Sequence, residues 1–185
     1  MASTGHRLEI LSADDIAARP RLVHSLFELI NTEFAGRPGF PVPRFAQDSD
    51  VVANLRDGGL CAVLFDARDE PIATASTKPW PEIPSSDTDF EISAVVASAT
   101  YRGQGLADRC VRAVERATVA REDRERAGRP LTLWIKTVEH HNRAYWTRRG
   151  FREAGTRVGP VGMWGAEKEF VLLTMRRPAV AGVEA

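Results

Sequence analysis

The sequence predicts an α/β (α+β) fold, built on a mixed, mostly antiparallel central sheet of six to seven strands with helices on both faces. Short apolar, β-branched segments recur along the chain, and polar turns join some of them into hairpins. Helical segments, with apolar residues three or four positions apart, separate others. The resulting order, β-α-α-β-β-β-α-β-α-β-β, contains both hairpins and crossovers, which favours a mixed sheet.

The first part of the chain predicts one strand and two helices. Residues 6–11 alternate in polarity and suit a strand, after which Asp14 and Asp15 begin a helical stretch. Six of its apolar residues have helical spacing: Leu22, Val23, Leu26, Phe27, Leu29 and Ile30. The run GRPGFPVPR at 36–44 ends this helix in a stiff loop, and 48–55 predicts a short second helix.

The middle of the chain predicts three strands and the longest helix. The strands are apolar segments, and the polar turn Arg68-Asp69-Glu70 joins the first two into a hairpin. They comprise residues 60–66, 72–77 and 90–98, with a Pro- and Ser-rich loop at 78–89 before the third. Residues 105–126 then predict a helix with one narrow apolar face, formed by Leu106, Cys110, Val114 and Ala117.

The last part of the chain predicts three strands and one short helix. The strands lie at 131–138, 151–156 and 169–176, and the helix at 142–149. A glycine-rich loop at 155–168 precedes the final strand. The length fits a single domain, 1–185, with a core of about 6–177 and a tail at 178–185 that we expect to be disordered.

Composition limits the possible partners and compartments. The formal net charge is zero, so bulk electrostatics do not favour a nucleic acid or an anionic membrane as partner. No apolar stretch approaches the ~20 residues of a membrane span, and the first residues lack the apolar core of a signal peptide. Cys61 and Cys110 predict two reduced, buried thiols. We therefore expect a cytoplasmic protein, and the sequence does not distinguish this compartment from the nucleus.

The strongest chemical signal is a glycine-containing turn between a strand and a helix. The strand ends near Ser98, and Arg102, Gly103, Gln104, Gly105, Leu106 and Ala107 open the longest predicted helix. A helix start leaves about four peptide N–H groups without partners and carries the positive end of the helix dipole. Glycine at 103 and 105 lets an anion approach the backbone closely. The turn therefore predicts a phosphate site.

Two other phosphate motifs do not fit this turn. A P-loop requires Gly-Lys-Ser/Thr, which occurs nowhere in the chain. A dinucleotide-binding fingerprint requires a third glycine where Asp108 stands. The remaining alternative is that Gly103 and Gly105 only shape a turn.

The turn and its context resemble the GCN5-related N-acetyltransferase (GNAT) superfamily. Arg102, Gly105 and Ala107 match the family's Arg/Gln-x-x-Gly-x-Gly/Ala motif, and 90–97 resembles its fourth strand. Residues 142–151, NRAYWTRRGF, resemble its second motif, a short helix that ends in Gly-Phe. The resemblance covers about residues 6–177 and implies a GNAT fold in which the fourth and fifth strands splay apart around acetyl-CoA.

The resemblance also implies how coenzyme A is held. Main-chain groups of Val95, Val96 and Ala97 would bind the pantetheine arm and polarise the thioester carbonyl. Peptide N–H groups from Arg102 to Ala107, including those of Gly103, Gln104, Gly105 and Leu106, would bind the pyrophosphate. Asn142 would hydrogen-bond the pantetheine arm, and Trp146 is also predicted to bind the cofactor.

Acetyl transfer to an amine requires proton transfer, because most alkyl amines are protonated at pH 7. Glu91, at the start of the strand that leads into the turn, is the predicted base, acting directly or through water; the alternative is a surface carboxylate. Many family members place an acid tyrosine where Trp146 stands. Either Tyr145 takes that role from one position earlier, or the protein has no tyrosine acid.

Three loops, at 36–50, 78–89 and 155–168, are expected to surround the amine acceptor, with Phe40, Trp80 and Trp164 as the predicted substrate-binding residues. Acidic residues in the same loops predict an acidic rim suited to a hydrophobic amine: Asp48, Asp50, Asp87 and Asp89. Adjacent His140 and His141 precede the short helix, but no third ligand with zinc spacing accompanies them, so no metal is predicted.

The predicted function is therefore transfer of an acetyl group from acetyl-CoA to a primary amine of a small molecule or peptide, by direct attack in a ternary complex. A monomer or a homodimer is expected. Two alternatives remain, an acyl-CoA-binding sensor without catalysis and an interaction domain without a cofactor.

Overall fold

The structure is a computed structural model, and it describes residues 5–35, 37–80, 82, 88–126 and 130–179. One sheet contains β1 (Arg7–Ser12), β2 (Leu60–Phe65), β3 (Pro71–Pro79), β4 (Asp89–Ala97), β5 (Thr132–Val138), β6 (Arg152–Gly159) and β7 (Phe170–Pro178). The α-helices of the described segments are α1 (Ala13–Ala17), α2 (Pro20–Ala35), α3 (Ser49–Ala53), α4 (Leu106–Arg126) and α5 (Glu139–Thr147). None of these helices is both long enough and apolar enough to cross a membrane.

The sheet has the strand order β1-β2-β3-β4-β5-β7-β6. Its neighbouring strands are antiparallel, with the exception of the parallel pair β4 and β5. The prediction of a mixed, mostly antiparallel sheet is confirmed, with seven strands. The α4 connection between β4 and β5 is the crossover that a parallel pair requires.

Two apolar clusters cover the two faces of the sheet. Neighbouring residues of β2 alternate between them: Ala62 and Leu64 pack in the cluster that includes α4, whereas Val63 and Phe65 pack in the cluster that includes α1, α2 and α3. Because β2 is covered on both faces, its sequence is a continuous apolar run. Helices on both faces are thereby confirmed.

The predicted first helix is two helices. Ser12 caps α1, since its hydroxyl accepts a hydrogen bond from the Asp15 N–H and the Asp15 carboxylate accepts one from the Ser12 N–H. Pro20 then begins α2. Proline lacks an N–H group and suits the first position of a helix rather than its interior, so the break falls there.

Three predicted boundaries also differ from the structure. The expected loop at 155–168 is shorter, because β6 continues to Gly159, where the ring of Phe170 on β7 occupies the place of a side chain. The helix predicted at 142–149 is α5, which begins at Glu139, so His140 and His141 lie in its first turn rather than before it. Pro178, the first residue of the predicted tail, ends β7, and 180–185 lie outside the described residues.

Candidate functional site

The sheet opens between β4 and β5. Their parallel ladder pairs Asp89 with Thr132 and ends where Ile92 pairs with Ile135. Beyond that point β4 continues to Ala97 beside β3, and β5 continues to Val138 beside β7. The two strands therefore diverge over their last residues.

A β-bulge in β4 lies beside this opening. Ser76 of β3 pairs with Ser93, but Thr74, two residues earlier, pairs with Val96, so three steps of β4 face two steps of β3. Ala94, within the bulge, has a φ of 49°, in the left-handed region that residues other than glycine seldom adopt. Bulges of this kind leave one residue outside the ladder and are frequent next to active sites.

The opening leads into a cleft of about 690 Å³. One wall is β4 from Glu91 to Ala97, and the other is formed by the end of β5 and by α5. The start of α4 closes one end, and α2 with the loop that follows it lies across the cleft. Of the eleven residues predicted to bind the cofactor, ten line the cleft: Val95, Val96, Ala97, Arg102, Gly103, Gly105, Leu106, Ala107, Asn142 and Trp146. Gln104 does not.

The turn before α4 has the features of an anion site. Gly103 and Gly105 have φ values of 81° and 72°, and a Cβ atom on either would meet nothing within 4 Å. The Arg102 N–H, which was predicted to bind phosphate, instead donates a hydrogen bond to the Ala99 carbonyl oxygen at 3.3 Å. Within the described segments, the N–H groups of 103–107 have no hydrogen-bond acceptor. They stand at the positive end of the 21-residue helix α4.

Glu33 of α2 lies beside this turn, and it was missed in the sequence. Its buried carboxylate accepts hydrogen bonds from the Ala99 N–H and from Nη2 of Arg102, both at 2.7 Å. These bonds fix the segment after β4 and the Arg102 side chain. The sequence did contain a signal for this residue. Glu33 follows Leu26 and Ile30 on one apolar helix face, and a carboxylate buried there is expected to have a partner, because burying it unpaired is costly.

Asp108 lines the same end of the cleft, but its charge is compensated. Its carboxylate accepts a hydrogen bond from Nε of Arg149 at 2.7 Å and is also paired with Arg112. Arg149 in addition donates to the Tyr145 carbonyl oxygen at 3.0 Å. The negative charge next to the turn is therefore balanced, and the Arg149 contact joins α4 to the segment that follows α5.

Glu91 lies at the point where the strands diverge. It is 6% exposed, and Nζ of Lys78 lies 3.7 Å from its Oε2. Lys78 also donates to Oδ1 of Asn54 at 2.9 Å. Glu91 is thus a buried, ion-paired carboxylate on the cleft wall, and not a residue of the protein surface.

Tyr145 and Trp146 lie side by side on the α5 wall. Their rings pack edge to face with centroids 4.8 Å apart, and the Arg149 guanidinium lies 3.5 Å from the Tyr145 ring centroid. The Tyr145 hydroxyl is buried and has no hydrogen-bond partner among the described residues. Burial raises the pKa of this phenol above its ordinary value of 10, so it stays protonated at neutral pH.

Two further polar residues of α5 line the cleft. Asn142 donates from Nδ2 to Oγ1 of Thr137 on β5 at 3.0 Å. His141 has a buried Nε2 atom that lacks a partner within the described part of the chain. Burial, and secondarily the neighbouring His140, lower the pKa of His141 below 6.5, which keeps the imidazole neutral at pH 7.

The predicted acceptor residues divide into two groups. Phe40 and Trp164 line the cleft. Trp80 does not: it is buried and stacks on Trp134 with ring centroids 4.8 Å apart. Trp80 is kept out of the cleft lining by its packing on Trp134, which pairs with Glu91 within the closed part of the β4–β5 ladder.

The predicted acidic rim is absent from the cleft lining of the described segments. Asp48 contacts His24 at 3.0 Å, Asp50 accepts hydrogen bonds from the N–H groups of 46 and 47, and Asp89 accepts one from the Trp134 indole. Asp87 lies outside the described residues. Asp48, Asp50 and Asp89 instead cap turns or hold neighbouring side chains, which is a common role of aspartate in loops.

The described residues contain no cluster of three or more potential metal ligands. Cys61 and Cys110 are buried free thiols, and burial raises the pKa of Cys110 to about 12. Neither cysteine lines the cleft. A thiolate nucleophile at this site is therefore not available from the described chain.

Comparison with known proteins finds one matching family model and many solved structures with a similar fold. Residues 23–151 match the acetyltransferase (GNAT) family model. A GNAT superfamily phosphinothricin acetyltransferase from Sinorhizobium meliloti in complex with AcCoA is 16% identical, with 97% of this chain and 91% of that chain covered and a TM-score of 0.68. An acetyltransferase structure from Acinetobacter baylyi ADP1 is 15% identical, with 96% and 93% covered and a TM-score of 0.67.

The ribosomal-protein-S18-alanine N-acetyltransferase from Escherichia coli is also similar, at 15% identity, with 97% of each chain covered and a TM-score of 0.66. At these identities the structures establish a shared fold alone. No curated protein sequence matches this chain.

Proposed function

Since the chain belongs to the acetyltransferase (GNAT) family, we propose that it transfers an acetyl group from acetyl-CoA to the primary amine of a small molecule or peptide, by direct attack in a ternary complex. One observation carries the proposal. The divergence of β4 from β5 after Ile92 and Ile135 creates a cleft that ends at the unpartnered N–H groups preceding α4. An extended thioester with a phosphorylated end fits such a cleft.

The residues of the cleft suit coenzyme A. The N–H groups of 103–107 would bind the pyrophosphate, helped by the positive φ of Gly103 and Gly105, which keeps side chains out of its way. The bulged segment from Val95 to Ala97 would hold the pantetheine arm, with Asn142 and Trp146 on the opposite wall. Arg102, held by Glu33, would add a positive charge at the phosphates.

Acetyl-CoA supplies the thioester from which the acetyl group is transferred. Glu91 accepts, directly or through water, the proton that the amine loses as its nitrogen bonds to the carbonyl carbon. Tyr145 donates a proton to the sulfur as the carbon–sulfur bond breaks, and it recovers one from solvent. Alignment of the amine with the thioester contributes about 7–11 kcal/mol of the barrier reduction, more than either proton transfer.

Binding is tested by thermal unfolding with and without acetyl-CoA. At a concentration of 100 times the dissociation constant, a ligand of the native state stabilises it by about 2.7 kcal/mol. For a chain of this size this raises Tm by roughly 5–10 °C. The thioester of N-acetylcysteamine, which has no phosphates, is the matched control and should give no shift at the same concentration. No shift with acetyl-CoA would refute the proposal.

Catalysis is tested by the release of free thiol from acetyl-CoA in the presence of a broad panel of primary amines. We expect amine-dependent release and an acetylated product of matching mass. Binding of acetyl-CoA without amine-dependent release across the panel would instead indicate an acyl-CoA sensor.

A further inference from the structure

A second cavity, of about 230 Å³, adjoins the cleft on the side of Glu91 and shares Arg44, Glu91, Lys136 and Trp164 with it. In the described part of the chain its lining holds the carboxylate of Glu91 and five basic side chains: Arg44, Arg56, Lys78, Lys136 and Arg157. Glu82 does not line the cavity, but it pairs with Lys136 at 2.8 Å and lies 3.9 Å from Arg157. Even with Glu82 included, five cations and two carboxylates leave three positive charges in excess.

Arg44 is the cation best placed to bind a ligand. Its guanidinium carbon lies 4.7 Å from the ring centroid of Phe34 and 4.9 Å from that of Trp164, so two aromatic rings hold it. Within the described residues it makes no hydrogen bond and no ion pair. Burial lowers the pKa of Arg44 to about 10, an effect that nearby Glu91 opposes, and the side chain remains charged at pH 7.

A half-buried guanidinium that is held by rings but has no acceptor for its N–H groups is poised for an oxyanion. Its planar fork matches the two oxygens of a carboxylate or a phosphonate. Lys136, which lines both cavities, adds a second positive charge. Among the described residues, Glu91 is the one negative side chain lining this cavity, at the divergence of β4 and β5 where the acceptor amine must meet the thioester.

We propose that the acceptor is a zwitterion of the amino-acid type, whose ammonium group faces Glu91 and whose oxyanion binds Arg44. The inference rests on the proposed function and adds the substrate class to it. It replaces the acidic rim expected from the loops with a basic pocket, so a purely cationic amine is a poor substrate. Both charges of the acceptor find an opposite charge within one region of the cleft, which orients the amine toward the thioester.

Matched substrate series test this proposal. For several side chains, the amino acid is compared with its amide, its decarboxylated amine and its aminophosphonate counterpart, and kcat/KM is measured by thiol release. We expect kcat/KM for the acid to exceed that for the amide at least tenfold. A preference for the acid could not come from amine basicity. The amide group lowers the pKa of the neighbouring amine, so the amide has the larger fraction of neutral, reactive amine at pH 7. The phosphonate arm identifies which oxyanion is preferred.

Arg44→Gln should reduce the ratio of acid to amide to about one. Arg21→Gln, at an exposed position of α2 that lines neither cavity, should leave the ratio as in the wild type. Equal kcat/KM for acid and amide in the wild-type protein, or an unchanged ratio in Arg44→Gln, would overturn the inference. Turnover of neutral or cationic amines alone would overturn it too, while leaving the acetyltransferase proposal intact.

A binding experiment covers the case in which the panel gives no turnover. Calorimetry on the protein saturated with coenzyme A compares N-acetyl amino acids with their amides. Tighter binding of the acids by tenfold or more, lost in Arg44→Gln, supports the inference; equal affinity, or no binding of either, contradicts it. Failure to bind coenzyme A in the first place would instead refute the proposed function.

Discussion

At the scale of single residues, the cleft contains buried polar groups that are positioned to interact with a ligand. Glu91 is the carboxylate at the point of strand divergence, and the Tyr145 hydroxyl and His141 Nε2 are buried without partners in the described chain. Leaving such atoms unsatisfied costs on the order of 1–3 kcal/mol each, which a structural role does not repay. A ligand that contacts them would recover this free energy.

Glu91→Gln is expected to lower kcat about 100-fold, because the amine then loses its proton acceptor. The rate should rise toward alkaline pH, since only amine that is already neutral can react. The measurement is the pH profile of kcat from pH 6 to 10. Glu28→Gln, at an exposed carboxylate of α2, is the control and should resemble the wild type. An unaltered profile in Glu91→Gln would remove Glu91 from the mechanism.

Tyr145→Phe separates an acid from a packing residue. If the phenol protonates the leaving thiolate, kcat should fall roughly 10- to 100-fold while the affinity for acetyl-CoA stays the same. Because the hydroxyl has no partner in the described chain, its removal should not lower the free energy of unfolding. Steady-state kinetics and urea unfolding provide the two readouts. Wild-type kcat in this variant would mean that Tyr145 is not the acid.

At the scale of elements, the site depends on where α4 begins. The turn from Arg102 to Gly105 leads the chain out of β4 and presents the first amides of the helix to the cleft. The bulge at Ala94 changes the pairing of β4 just before this turn. A strand with an unbroken ladder would keep its amides within the sheet, so the bulge and the turn together make backbone groups available to a ligand.

Gly105→Glu should abolish acetyl-CoA binding, with a loss of affinity of more than 100-fold in calorimetry. It places bulk and negative charge at the phosphate site, where a Cβ atom meets open space. The positive φ adds a strain of about 1 kcal/mol. Gly162→Glu is a matched control, since Gly162 also has a positive φ, 85°, and open space, but lines neither cavity. Retained affinity in Gly105→Glu would disprove the placement of the phosphates.

At the scale of the whole molecule, an ion pair joins α4, the helix that follows the glycine turn, to β7. Both carboxylate oxygens of Glu115 on α4 accept hydrogen bonds of 2.6 Å from Arg177 on β7, and both side chains are largely buried. The Arg177 guanidinium also lies over the Phe151 ring, 4.8 Å from its centroid. These contacts hold α4 against β7, the strand that pairs with β5 of the second cleft wall.

Glu115→Ala is expected to lower the free energy of unfolding by about 3 kcal/mol, because it leaves the buried Arg177 without its bidentate partner. Glu139→Ala, which removes an i,i+4 pair with Arg143 on the partly exposed surface of α5, should cost less than about 1 kcal/mol. Chemical denaturation of both variants gives the comparison. Equal, small effects would show that the buried pair does not stabilise the fold.

Much of this architecture could be predicted where local patterns encode it. The phosphate turn is one example, since glycine at 103 and 105 between an apolar strand and an amphipathic helix predicts the conformation that the structure shows. The α1–α2 break was missed because an apolar pattern continues through Pro20. The extension of β6 was missed because Gly155 and Gly159 suggest a loop, whereas pairing with β7 stabilises them in a strand.

The sequence by itself determined the mixed sheet, its helices, the family resemblance and the turn before α4, because each follows from the conformations of consecutive residues. Only the tertiary structure placed Glu33 beside Arg102, and Arg44, Lys136 and Glu91 in one pocket. These side chains come from α2, the loop after it and two strands. Their meeting depends on helix packing and on the angle at which β4 and β5 diverge, and no local pattern encodes either. The charge of this pocket is therefore a property of the fold, not of any one segment.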